Sequence, residues 1–273
     1  MTSPPQTEPA MPDLETLGDQ LLLTTPLQRR LALIRPFLGL LAYTLAVCAG
    51  WWWLTPILVF LIFVAVVTVT HDVVHVTLGL SRRQTDWALF AMGAILLESG
   101  HAYQLTHIQH HRVFPGKDDP EGDPARMGFW RAVLHGPVFL LRLWWWAFQK
   151  SRQDACQRRW LLAEAAWALS VPALGVALWP WTPAVLIYAL LAIAGSWSYS
   201  LLTVHLPHHN YGETPLTQTH TLRGTIIPAL FLELTYHLEH HLYPQVPSHN
   251  LPELSRRLQP CFEEAGVQPR QVL

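Results

Sequence analysis

Four stretches of this 273-residue chain are long and apolar enough to cross a bilayer, and they constrain the fold more than any other feature. They run over about 31–50, 54–70, 160–179 and 183–204. A membrane-spanning helix needs about 20 apolar residues, because every backbone polar group must be satisfied inside the segment. Charged residues make up 14% of the chain, against roughly 25% in soluble domains. Two short connections, "WWWLTP" (51–56) and "WPWTP" (179–183), join the spans in pairs. The expected architecture is therefore an all-α membrane protein with four transmembrane helices in two hairpins.

The charges predict an orientation. All eighteen Lys and Arg residues lie outside the two short connections. Arg29, Arg30, Arg82, Arg83, Lys150, Arg152, Arg158, Arg159, Arg223, Arg256 and Arg257 fall on the opposite side. Arg35, one turn into the first span, reaches that side by snorkelling. The positive-inside tendency makes it the cytoplasm, with both termini there and the loop tryptophans in the outer interface. A net charge near −1 points to no nucleic-acid partner. Cys48, Cys156 and Cys261 share no metal or redox spacing and are expected to be packing residues.

The rest divides around those spans. Residues 1–30 read as a flexible N-terminal tail without the basic start and long apolar core of a signal peptide. Residues 31–260 read as one integral membrane domain and 261–273 as a C-terminal tail. Segments 87–105 and 129–150 are expected to lie in or dip into the interface, with burial of 87–105 inside a helical bundle as the alternative. Residues 225–236 are too short to span and carry Pro228 and Glu233, so an interfacial helix is expected.

Fifteen histidines are present, and most fall into boxes. "HDVVH" holds His71 and His75, "HIQHH" holds His107, His110 and His111, and "HLEHH" holds His237, His240 and His241. Spacings of three and four residues put the imidazoles of each box on one helix face. A further group, "HLPHH" (His205, His208, His209), follows the fourth span. On the expected topology all of them reach the cytoplasmic face. His135, His220 and His249 stand alone and read as ordinary polar residues, while His101, six residues before the second box, is intermediate.

Imidazole is the commonest metal ligand. One ion takes four to six ligands, so eight or nine imidazoles suit two ions. Imidazole serves zinc, copper, iron and nickel, but a closed four-ligand zinc site leaves half the rings without a role. Two redox-active irons fit the count. Asp72 and Glu239, inside boxes, are expected to orient ring nitrogens, with direct ligation as the lesser alternative. The acidic run in "HHRVFPGKDDPEGDP" (110–124) reads as a solvated loop.

The three boxes, in this order with paired spans between the second and third, resemble the membrane-bound fatty acid desaturase superfamily over about residues 55–260. The resemblance implies a non-haem di-iron centre, a cap of two iron ions held by histidines at the cytosolic membrane face. It implies that O₂ and two electrons attack an unactivated C–H bond of a lipid from the bilayer, with electrons from an external donor of ferredoxin or cytochrome b5 type. The implied ligands are His71, His75, His107, His110, His111, His237, His240 and His241, with His205 and His208 favoured for the additional ligand after the fourth span. "HLYPQVPSHNLPEL" is shared by acyl-lipid desaturases and carotenoid-modifying relatives. "LPHHNYGETPLTQTHTLRG" (206–224) is also similar to bacterial β-carotene ketolases. An acyl-lipid desaturase is the first expectation, and a carotenoid ring hydroxylase or ketolase the second.

Two other classes compete. A metal carrier should line its spans with ligands, yet Glu164 alone stands out there, near one end. A zinc-dependent membrane hydrolase needs about three protein ligands and an open water position, fewer than are present.

Overall fold

A computed structural model describes residues 11–273. It is 72% helical. In chain order the helices are α1 (Leu14–Leu17), α2 (Pro26–Cys48), α3 (Thr55–Val74), α4 (Arg82–Leu96), α5 (Gly100–Val113), α6 (Phe129–Lys150), α7 (Ala155–Leu178), α8 (Ala184–Ser196), α9 (Leu206–His208), α10 (Ile226–Phe231), α11 (His237–Leu242) and α12 (Leu251–Glu264). Strands β1 (Leu222–Arg223) and β2 (Arg270–Gln271) form a short parallel pair. The described residues divide into two compact units, 24–210 and a smaller one of 11–23 with 211–273.

In the larger unit the spanning segments emerge as expected and are extended. Four helical runs, Asp19–Cys48, Trp52–Val74, Ala155–Leu178 and Ala184–His208, are long and apolar enough to cross a membrane. Local chemistry sets their starts. Thr25 caps α2 in a reciprocal box with Gln28, and Pro26 occupies the first turn, where no N–H is needed. The Asp154 carboxylate caps α7 through the N–H groups of Cys156 and Gln157. Helix α3 is apolar on all sides and buried from Ile62 to Val74, as a central helix must be. Small residues allow the paired spans to touch. A Cβ on Gly39 would stand 2.6 Å from Ile62 of α3, and one on Gly175 2.8 Å from the Leu186 backbone of α8.

Residues 87–105 do not form the single interfacial helix expected from their composition. They are the end of α4 and the start of α5, turned at Leu97, which takes a left-handed conformation (φ 61°). The corner is tight: a Cβ on Gly100 would lie 2.3 Å from the Leu89 carbonyl oxygen. Leu89, Met92, Leu96 and Ala102 are buried, so the buried-bundle alternative holds here. Segment 129–150 is one helix, α6, with a buried stripe of Ala132, Gly136, Phe139, Leu143 and Ala147. The fourth span changes character near its end, where Ser200–His205 forms a π-helical turn before α9. Such wide turns commonly mark functional sites.

The smaller unit has its own core, with Leu238 of α11 and Leu251, Leu254, Leu258 and Phe262 of α12 packed on Leu17, Leu21 and Leu216. Residues 11–23, read as part of a flexible tail, are tied into it: Tyr243 donates to the Pro12 carbonyl at 2.7 Å and Asn250 to the Leu21 carbonyl at 2.9 Å. Residues 1–10 of that expected tail lie outside the described residues. The expected C-terminal tail begins inside α12 and ends in β2, paired with β1. Residues 225–236 form short α10 followed by a tighter turn, Leu232–Thr235.

Candidate metal centre

Helix α3 runs one turn past the apolar stretch and thereby presents His71, with His75 at its C-terminal cap. Helix α5 carries His107, His110 and His111. In the larger unit these elements bring the first two boxes together. The His71 ring lies 4.9 Å from His75 and 5.2 Å from His107, centroid to centroid. His75 is 4.8 Å from His111. One nitrogen each from His71, His75 and His107 lies within 4.8 Å of the others.

Two close nitrogen pairs give the cluster its chemistry. Nε2 of His107 and Nε2 of His111 are 3.2 Å apart, as are Nε2 of His110 and Nε2 of His208. Bonds of about 2.1 Å to one ion would hold neighbouring ligand nitrogens about 3.0–3.4 Å apart at octahedral to tetrahedral angles. Both contacts fall in that range. The donor set therefore fits metal ions that prefer imidazole.

The opposite edges of two rings are held by carboxylates. Asp119 Oδ2 lies 2.8 Å from His110 Nδ1, and Glu121 Oε2 lies 3.2 Å from His107 Nδ1. Asp119 Oδ1 accepts the Glu121 N–H at 2.9 Å, and Thr106 donates to Glu121 Oε1 at 2.7 Å. Both acids are buried, at 5% and 4% exposure, so the acidic run is not simply a solvated loop: Asp118 is exposed while Asp119 and Glu121 turn inward. A carboxylate on Nδ1 fixes the proton there and leaves Nε2 as the ligating atom. The available clue was the placement of acids within 14 residues of the second box in a segment stiffened by Pro115, Pro120 and Pro124.

Burial lowers the pKa of His75 to about 4. His107 and His111 are held well below the usual range, first by burial and then by neighbouring imidazoles. Neutral rings are the form that binds metal. His110 goes the other way: burial opposes its charge, but the Asp119 bond and negative charge outweigh that. Burial pushes Glu121 up to about 7.

The two histidines expected after the fourth span separate. His208 is fully buried and meets His110. His205 Nδ1 contacts the Pro124 carbonyl at 3.0 Å, and its ring stacks on His209 at 4.5 Å. Asp72 is buried, and its backbone carbonyl accepts the Thr77 N–H and hydroxyl. His101 pairs with buried Glu164 at 2.7 Å and stacks on Trp160. That pair gives both groups a role in joining α5 to α7. His135 faces Arg142.

In the smaller unit, α11 places the His237 and His241 rings 4.7 Å apart, with His240 at 6.0 Å from His237. Glu239 is completely buried. Its oxygens accept hydroxyls from Thr221 at 2.6 Å and Ser255 at 2.5 Å, with Arg223 3.9 Å away. This carboxylate therefore anchors α11 through hydroxyls to Thr221, just before β1, and to Ser255 of α12, rather than orienting a ring nitrogen, the role expected from its place in the box. Burial raises its pKa despite those bonds.

A family model described as "Fatty acid desaturase" matches residues 49–272. No curated protein sequence matches the chain.

Proposed function

The chain belongs to the fatty acid desaturase family, and from that premise we propose that it is a membrane di-iron oxidase acting on a long apolar lipid. The family implies an oxidoreductase, and the spanning helices make the chain an integral membrane protein. The proposed iron ligands are His71, His75, His107, His110, His111, His208, His237, His240 and His241, with His205 placed second to His208 because the His208 Nε2 lies 3.2 Å from the His110 Nε2. The carrying observation is the pair of buried carboxylate–imidazole contacts, Asp119–His110 and Glu121–His107, with Nε2 atoms 3.2 Å from further imidazoles.

Bound iron would supply O₂ activation with two electrons from an external donor of ferredoxin or cytochrome b5 type. The protein's own residues do the rest. Asp119 and Glu121 hold protons on Nδ1 and keep the rings from rotating. In this reading the imidazoles at the end of α3 and in the turn and α9 that follow α8 stand at the membrane surface, so an apolar chain can react without leaving the bilayer. The Lys and Arg distribution puts this site and both termini on the cytoplasmic side.

An acyl-lipid desaturase is the leading substrate class. A carotenoid ring hydroxylase or ketolase is the second reading, favoured by segment 206–224. The test is lipid and pigment analysis of cells expressing the chain in hosts that make or lack β-carotene. New acyl double bonds in both hosts support the first reading. Oxygenated carotenoid with unchanged acyl chains selects the second. Iron-loaded protein that alters neither pool, with either donor class supplied, overturns the oxidase assignment.

A further inference from the structure

The larger unit carries a second feature unrelated to the histidines. Helices α2 and α4 flank a groove of about 400 Å³, lined by Leu33, Phe37, Leu80, Arg83, Trp87 and Ala91 among others. That volume lies in the range of about 300–1,000 Å³ typical of ligand sites. The two helices start at the same level. Thr24, just before α2, donates to the Thr77 carbonyl at 3.0 Å, and Arg29 reaches the Gly79 carbonyl at 3.4 Å, both in the turn that precedes α4.

From that common level the two walls repeat one pattern. Arg29, Leu33 and Phe37 follow at four-residue steps on α2, and Arg83, Trp87 and Ala91 do so on α4. Four-residue steps keep each set on one helix face. At 1.5 Å per residue, each wall descends about 12 Å from its arginine to its last apolar residue. Cations at the rim above an apolar trough match a phosphate above an acyl chain.

The rim is not neutralised from within. Neither Arg29, Arg82 nor Arg83 forms an ion pair among the described residues. The Arg29 Nε is buried with no hydrogen-bond partner. The nearest acid on α4, Asp86, stands 3.8 Å from His101. The amino end of α4, a 15-residue helix, adds partial positive charge at the same rim. Phe37 and Trp87 remain about half exposed, at 45% and 54%, where a lipid tail would cover them.

We propose that this groove binds one anionic glycerophospholipid, with its phosphate between Arg29 and Arg83 and an acyl chain along Leu33, Phe37 and Trp87. Basic pockets between membrane helices recognise anionic headgroups in this way. The site depends on the chain's membrane embedding and not on the oxidase reading.

The test uses the full chain in phosphatidylcholine nanodiscs doped with phosphatidylglycerol, with retained lipid counted by native mass spectrometry after transfer to mild detergent. The parent should retain phosphatidylglycerol well above its share of the bilayer. Arg29→Gln with Arg83→Gln should cut that enrichment roughly 10- to 30-fold, as expected for two cations at a membrane surface. Arg83→Lys should keep most of it, and Ala91→Phe, which fills the trough, should lose it. If Ala91→Phe does not insert, the arginine pair decides alone. Parent-like enrichment in the double-arginine variant, or no preference for the anionic lipid in the parent, overturns the site. Because neither iron nor turnover enters the readout, its failure leaves the oxidase reading standing.

Discussion

Replacing Asp119 by Asn tests whether buried carboxylates set the metal affinity of this centre. The parent carboxylate does two things. Oδ2 sits 2.8 Å from His110 Nδ1, and Oδ1 accepts the Glu121 N–H at 2.9 Å. Asn has the same shape, and its carbonyl oxygen can keep the Glu121 contact. Its NH₂ then faces Nδ1 and donates, which drives the ring proton to Nε2, the atom that meets His208. A protonated Nε2 cannot ligate. Loss of such a supporting partner typically costs 10- to 100-fold in metal affinity, or about 1.4–2.7 kcal/mol at 1.36 kcal/mol per tenfold change. The assay is iron content by mass spectrometry after equilibration with graded chelator. Asp119→Asn should release iron at 10- to 100-fold less chelator than the parent, with unchanged helicity. Asp118→Asn, next in sequence but exposed, should match the parent. Parent-like retention in Asp119→Asn would refute the orienting role, and equal loss from both substitutions would refute the assignment to Asp119 in particular.

Other outcomes follow from the same geometry. Glu121 sits near 7 rather than its ordinary 4.5 because burial penalises its anion. Its favourable contribution is therefore complete below about 4.5 and lost as pH rises through 7, at most about 3 kcal/mol. In metal-free protein the stability of the parent relative to Glu121→Gln should fall as pH rises from 5 to 8, because the variant removes this one titration while the imidazoles stay the same; a difference that does not change with pH counts against the buried carboxyl. His240→Ala should abolish activity and lower bound iron while the chain still inserts, whereas His249→Ala should be tolerated; equal damage from both argues against the box assignment. Ser255→Ala with Thr221→Ala leaves the buried Glu239 oxygens without their hydroxyls, and at about 1–3 kcal/mol per lost partner should lower thermal stability, while a parent-like melting curve would dismiss the anchor. Cysteines placed at Lys117 or Pro269 should resist outside-only reagents and one at Trp53 should react; the reverse labelling inverts the topology.

Much of the molecule is legible in the residue order because its strongest signals are local. Apolar length alone marks the four spans, and caps such as Thr25–Gln28 mark where a helix starts. The three- and four-residue histidine spacings put each box on one face without reference to the rest of the chain. What depends on distant contacts was not legible. Residues 87–105 look interfacial by composition, yet a left-handed Leu97 and a tight approach at Gly100 fold them into the bundle. Glu239 sits in a box with three histidines, but Thr221, just before β1, and Ser255 of helix α12 supply the hydroxyls that claim it. Asp119 and Glu121 look like solvated charges, since sequence records an acid's presence and not its burial. Only the tertiary structure turns the segment after α5 back upon that helix, where two acids become the groups that hold the His107 and His110 rings. Likewise the order of residues offers His205 and His208 equally, and the packing of the π-helical turn against residues 123–126 brings His208 to His110 and His205 to the Pro124 carbonyl. Local periodicity is written in neighbouring residues, whereas a buried charge is made possible by partners that only folding brings near.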